Sequence, residues 1–141
     1  LSTTRARAAD VRRANPKKFQ SMYEMVKDKL TTPYPSRAKV VRNFSLEASR
    51  LVPDGALDFV YIDGRHDFAG VTEDLTAWWP KLCPGGLLGG HDWIGHGDAS
   101  RAVKGWASAL SDPRQPKHIY ISADHPASYF MFKAPTPCAS G

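Results

Sequence analysis

Cysteine is scarce: Cys83 and Cys138 are the only two, and neither stands at metal-ligand spacing from another cysteine. They mark no metal site and say little about redox compartment. No apolar run approaches the length of a membrane span, so no membrane partner is expected. The basic start has no apolar stretch behind it of the kind a secretory leader carries, and a cytoplasmic location is the expectation. The net charge of +5 is front-loaded on Arg5, Arg7, Arg12, Arg13, Lys17 and Lys18, with no aromatic residue among them and no RNA- or DNA-binding motif after them. That pattern reads as a solvated basic segment, and nucleic acid is set aside as a partner. Internal repeats, long low-complexity tracts and a glycine-rich phosphate-binding fingerprint are also missing.

What is present is material for one globular domain: 141 residues, 42% hydrophobic and 23% charged, with four tryptophans. Residues 1–14 read as a loose basic segment, 15–134 as the folded portion and 135–141 as a Pro-containing disordered tail. Asn15-Pro16 reads as an N-cap and first helical residue. Phe19, Met22, Tyr23, Val26 and Leu30 follow at helical spacing, a stripe expected to pack into a core, until Thr31–Pro35 stops the helix. Ala38–Phe44 is a short strand candidate, and Ser45 is read as the cap of a brief helix before the turn Pro53-Asp54-Gly55.

Leu57–Ile62, LDFVYI, is a near-continuous apolar run of strand length, the type that suits a strand covered on both faces. Val71, Leu75, Trp78 and Leu82 then mark one face of a helix capped by Asp67, with Glu73 and Asp74 on its polar side. A second strand, GLLGG, follows the turn at Gly85-Gly86. This is a strand, crossover helix, strand unit. Asp98 is expected to cap another helix carrying Ala102, Val103, Trp106 and Leu110, stopped by Asp112-Pro113; the segment Gly95–Asp98 before it reads as a flexible loop. KHIYIS and SYFMFK then form an antiparallel hairpin. The fold class is therefore α/β, a parallel unit with an antiparallel C-terminal hairpin, and ligands of such sheets sit beyond the carboxyl ends of the parallel strands.

Asp63 ends the first of those strands, while His91 and Asp92 end the second. Two carboxylates and an imidazole can hold a divalent cation, Mg²⁺, Ca²⁺ or Mn²⁺ by the oxygen donors, with Zn²⁺ or Fe²⁺ open through the histidine. His66, three residues after Asp63, is a candidate general base because its ordinary pKa lies near neutrality. Each residue also has an ordinary reading. An Asp after a strand is often a turn residue, His66 can be a solvated loop histidine, and His91 is either a ligand or a bystander.

The stretch Leu57–Trp93, with Asp-Gly-x-His, a Trp-bearing helix, Gly-Gly and Gly-His-Asp, resembles the class I S-adenosylmethionine-dependent methyltransferases. Within them it looks most like the small-molecule O-methyltransferase branch of the macrocin and cephalosporin-biosynthesis enzymes, a likeness extending from Ala38 to Lys133. The resemblance implies a partial Rossmann-like methyltransferase sheet, S-adenosylmethionine as cofactor, Mg²⁺ or another divalent cation, and a small-molecule hydroxyl as acceptor. It implies metal binding by Asp63, His91 and Asp92, cofactor contacts from Phe44, Ser45 and Asp63, and His66 as the base. In this family the pair after the second strand is usually acid-acid or acid-amide, and this chain has His91 there.

The family's first strand, glycine-rich loop and following acidic residue would precede residue 15, where no such pattern stands. The expectation is therefore the C-terminal portion of a methyltransferase domain, with Ala38–Phe44 deprived of its neighbour and a sheet edge left free. Two other functions fit the same residues. One is a non-catalytic subunit that pairs through the free edge, as in a homo-oligomer. The other is a metal-dependent hydrolase, since Asp, His and Asp can equally activate water.

Overall fold

The computed structural model describes residues 15–110, 116 and 118–135. The chain divides into two compact units, Leu1–Arg42 and Asn43–Gly141. The expected basic segment 1–14, the stop at Asp112-Pro113 and all but the first residue of the tail 135–141 lie outside the described residues.

In the first unit, helix α1 runs Pro16–Val26 and continues as one π-helical turn, Lys27–Thr31. Asn15 caps it as expected, its side-chain oxygen accepting from the Lys17 and Lys18 amides at 3.1 and 3.4 Å. The apolar stripe is not core: no residue of α1 is buried, and Phe19 is 54% exposed. Tyr23 is partly shielded by the Arg42 guanidinium, 4.9 Å from its ring centre, while Gln20 accepts a hydrogen bond from the same side chain. Residues 38–44, expected as a strand, form none. An extended segment becomes a strand only through a ladder partner, and no described strand pairs with it.

The second unit carries helix α2 (Ser45–Ser49), strand β1 (Leu57–Ile62), helix α3 (Phe68–Trp78) and a 3₁₀ turn, Trp79–Lys81. Strand β2 (Leu82–Trp93), helix α4 (Asp98–Ala109) and the short pair β3 (Tyr120–Ile121) and β4 (Ala127–Phe132) complete it. The sheet order is β1-β2-β4-β3. β1 and β2 are parallel, in register from Phe59 opposite Leu87 to Ile62 opposite Gly90. β4 is antiparallel to both β2 and β3, so the hairpin supplies the antiparallel edge that its sequence predicts.

One face of the sheet carries the core. Val60, Leu88 and Met131 stand in one cross-strand row and Ile62, Gly90 and Tyr129 in the next. α3 and α4 cover these rows with Val71, Leu75, Ala102, Val103 and Trp106. The expected packing face packs as read, with Val71, Leu75 and Leu82 buried and Trp78 partly buried against them, and Trp79 of the following turn joins the core, where its ring meets Trp106 edge-on at 5.3 Å. Such aromatic pairs add about 0.5–1.5 kcal/mol beyond the area they bury. Trp78 donates its indole N–H to the Ser45 hydroxyl at 2.8 Å. Ser45 is thus inside α2, not its cap, which is Phe44 without a side-chain bond.

The opposite face departs from the expectation of a strand covered on both sides. Phe59 and Tyr61 of β1 are exposed, as are Phe132 and Tyr120. Apolar continuity in LDFVYI therefore reflects aromatic residues on an open face, and burial alternates along β1 as it does in strands with one covered side.

Candidate active site at the carboxyl ends of the parallel strands

β1 delivers Asp63 one residue beyond its last ladder position, and the loop to α3 is held by its own charges. Asp67 caps α3 as predicted, accepting from the Gly70 amide at 2.9 Å. Arg65 grips the same carboxylate with Nε and a terminal nitrogen at 2.8 and 2.7 Å, and its stem lies across Gly70, where a Cβ would collide with it. Hydrogen bonding to Arg65 holds the Asp67 carboxyl below the ordinary carboxylate range. Between these two anchors, Asp63 and His66 project from the sheet edge.

β2 delivers Asp92 through an irregularity. Its register with β4 breaks between Gly90 and Trp93, and Asp92 adopts φ +60°, a left-handed backbone that aspartate tolerates better than most residues. Strained backbone of this kind clusters at functional sites because the surrounding fold over-determines it. The following loop is pinned: the hydroxyl of fully buried Ser100 lies 2.8 Å from the Ile94 carbonyl and 2.9 Å from that of Gly97. Gly95–Asp98 is thus tied to α4, in place of the free loop its sequence suggests. Gly97, not Asp98, occupies the cap position, leaving Asp98 in the first turn.

Asp63, His66 and Asp92 come together, each offering a ligand atom within 4.8 Å of the others. His66 Nε2 is 3.5 Å from Asp63 Oδ1, and His66 Nδ1 is 2.9 Å from Asp92 Oδ2. The imidazole is 59% exposed and Asp92 20%. Asp92 Oδ2 is itself buried and, although within ion-pair distance of His66, has no hydrogen-bond partner among the described residues. The short contact lacks the alignment a hydrogen bond requires. A buried carboxylate oxygen facing a second carboxylate and an imidazole fits a divalent cation, whose positive charge would satisfy it.

His91 is not brought into this cluster. Its Nδ1 lies 3.1 Å from Asp92 Oδ1, the carboxylate's other oxygen. Ser45 and Asp63 line a cavity of about 380 Å³ along β1 that also touches Tyr61, Gly64, Asp74 and Trp78. That volume is within the range of small-molecule sites, roughly 300–1,000 Å³. Phe44 is 57% exposed and does not line it. Asp74 is the residue whose role the sequence hid: expected on the polar side of α3, it is 8% exposed and faces the cavity. Its position in the helical repeat next to Leu75 and after Val71 is the signal that it turns inward.

A family described as a methyltransferase domain matches residues 3–93, and the match ends at Trp93, just past Asp92. The chain belongs to that methyltransferase domain family. Membership implies S-adenosylmethionine as the cofactor, and two of the residues expected to contact it, Ser45 and Asp63, line the cavity along β1. The crystal structure of a protein from Corynebacterium glutamicum is similar, with a TM-score of 0.62 at 16% identity, covering 85% of this chain and 58% of the other. That likeness shows the fold, and the chain spans 58% of that protein's length. A possible exported protein from Bordetella parapertussis aligns with a TM-score of 0.47 and 13% identity, over 86% of this chain and 51% of the other. No curated protein matches the chain.

Proposed function

We propose that this chain is part of an S-adenosylmethionine-dependent O-methyltransferase of the macrocin and cephalosporin type, acting on a small-molecule hydroxyl with the help of a divalent cation of the magnesium class. The observation that carries the reading is the convergence of Asp63, His66 and Asp92 at the carboxyl ends of β1 and β2, in a chain of the methyltransferase domain family. Asp63 and Asp92 would hold the cation, with His91 outside the cluster beside the other oxygen of Asp92. A divalent cation, when bound, makes a nearby hydroxyl more acidic.

His66 takes the acceptor's proton. It stands beside both carboxylates and is exposed enough to meet a substrate entering from solvent. Ser45 and Asp63, which line the cavity along β1, would hold the cofactor there, and Phe44, next to Ser45 in the chain, would be a further contact. Asp63 thus stands where cofactor and cation sites meet, and alignment of the acceptor oxygen with the sulfonium methyl is the main catalytic contribution. The test is a screen of sugar and phenol hydroxyl compounds with labelled S-adenosylmethionine. Methyl transfer that is lost in His66→Ala, with cation binding kept, supports the reading. Transfer unchanged by that substitution contradicts it. Metal-dependent ester hydrolysis lost in Asp63→Ala would support a hydrolase instead.

One observation favours a second reading, a methyltransferase-like subunit that pairs with another chain. Among the described residues β1 has a single strand neighbour, and its Phe59 and Tyr61 are exposed. Concentration-dependent dimerisation without cofactor binding would support that reading, as a homo-oligomer joined through the edge.

A further inference from the structure

The loop from Asp63 to Asp67 carries a candidate cation ligand and the candidate base, yet its own backbone does little to hold them. Among the described residues, neither Gly64 nor His66 makes a backbone hydrogen bond. The His66 imidazole, 59% exposed, has the carboxylates of Asp63 and Asp92 within ion-pair distance, and the path of the loop decides where it points. Arg65, between Gly64 and His66, supplies the missing tie. Its guanidinium donates to both oxygens of Asp67 at 2.8 and 2.7 Å, and another of its nitrogens lies 3.5 Å from Glu73 Oε2 on α3. The stem lies over Gly70, where an added Cβ would stand 2.5 Å from the Arg65 Cβ and 2.8 Å from Nε. Asp67 in turn accepts from the Gly70 amide at 2.9 Å. His66 is thus bracketed by two residues joined to each other and to the first turn of α3, and Asp63 stands two residues before the first of them.

We propose that Arg65 is a positioning residue that sets where Asp63 and His66 stand, by fastening the loop that carries them to the start of α3. The proposal rests on the reading of Asp63 and Asp92 as cation ligands. Arginine suits the task because its planar fork meets a carboxylate through two bonds at once, where lysine offers a single point charge on a flexible stem. A charge effect would run the opposite way. Arg65 is a cation on the same loop as Asp63, so removing its charge alone would relieve repulsion and tighten binding of a divalent cation. Losing a group that orients metal ligands from behind weakens binding, typically by roughly 10- to 100-fold.

The experiment is Mn²⁺ titration followed by electron paramagnetic resonance on the purified chain and on Asp63→Ala, Arg65→Met, Arg65→Lys and Gly70→Ala. Each protein is also melted in metal-free buffer, so that every titration is run on folded chain. The expected result is binding by the parent chain, loss in Asp63→Ala, and a rise in Kd of roughly 10-fold or more in Arg65→Met. Arg65→Lys keeps the charge without the fork, and Gly70→Ala keeps the arginine but displaces its stem; both should raise Kd by a smaller factor. A purely structural role would lower the melting temperature and leave the Kd of the folded protein unchanged. A Kd unchanged or lowered in Arg65→Met, or equal to the parent's in both Arg65→Lys and Gly70→Ala, with binding still lost in Asp63→Ala, would overturn the positioning role and leave the cation site standing. Failure of the parent chain to bind, or binding undiminished in Asp63→Ala, would overturn the cation reading and the positioning role with it. Should one of the Arg65 or Gly70 variants not fold, the other two decide.

Discussion

Replacing Gly90 with alanine adds one methyl group at the most crowded point behind the candidate site. Gly90 pairs with Ile62 of β1 and Tyr129 of β4, and the new Cβ would overlap Cζ and the hydroxyl oxygen of Tyr129 and lie 2.7 Å from Cε1. A flexible side chain could swing away, but Tyr129 is a rigid ring with 1% exposure, seated in the core with Leu88 and Met131. Overpacking of this kind costs about 1–3 kcal/mol. The alanine returns about 0.4–1 kcal/mol by restricting the unfolded chain. The net expectation is a loss of about 1–2 kcal/mol, read as a lower urea midpoint at unchanged slope. The cost should shrink in a Tyr129→Ala background, because the collision partner is gone. A Gly90→Ala chain as stable as the parent would refute this account of the packing beneath the strand ends.

Gly105 provides the opposite case. It sits inside α4 with nothing within 4 Å of an added Cβ, so Gly105→Ala should raise stability by about 0.5–1 kcal/mol in the same assay. Leu75→Ala, at a fully buried position of the core, should cost about 2–5 kcal/mol and serves as the scale for both. Asp67 is held below its ordinary pKa, so its contribution is present above the unfolded value near 4 and is lost as pH falls through the lower folded value. Acid titration of Asp67→Asn should therefore show a shallower loss of stability below about pH 4, together with a reduced neutral stability from the weakened cap. His91 stands outside the ligand cluster, so His91→Ala should keep more Mn²⁺ affinity than Asp92→Ala, measured by Mn²⁺ titration followed by electron paramagnetic resonance.

The parallel unit was legible because its signals are local. LDFVYI is an unbroken apolar run of strand length, Asp67 is an acid at a helix entry, and Pro-Gly-Gly announces the return to the sheet. Each of these works within a few residues. Signals that depend on what lies across space were harder to read. Ala38–Phe44 has strand composition but no ladder partner among the described residues, and the stripe on α1 has helical spacing but no described residue of its unit buries it. That Trp79, in the turn after α3, enters the core against Trp106 is set by packing across space, which no spacing rule contains. Within the site, strand ends told where Asp63 and Asp92 would project. They did not tell that the irregularity at His91-Asp92 and the φ of +60° would bring His66, and not His91, into the cluster.

The same considerations separate what supports methyl transfer from what supports the fold. The likeness to the Corynebacterium glutamicum structure, at 16% identity, concerns the fold and extends no further than that. The proposed chemistry depends on the cavity along β1, which Ser45 and Asp63 both line, and on the cluster that Asp63 shares with His66 and Asp92.

The most direct test is calorimetric titration of the chain with S-adenosylhomocysteine, with and without Mg²⁺, beside an Asp63→Ala control. The account predicts saturable binding that Mg²⁺ strengthens and that Asp63→Ala removes. A folded chain that shows no heat of binding under either condition, or binds equally well without Asp63, would contradict it.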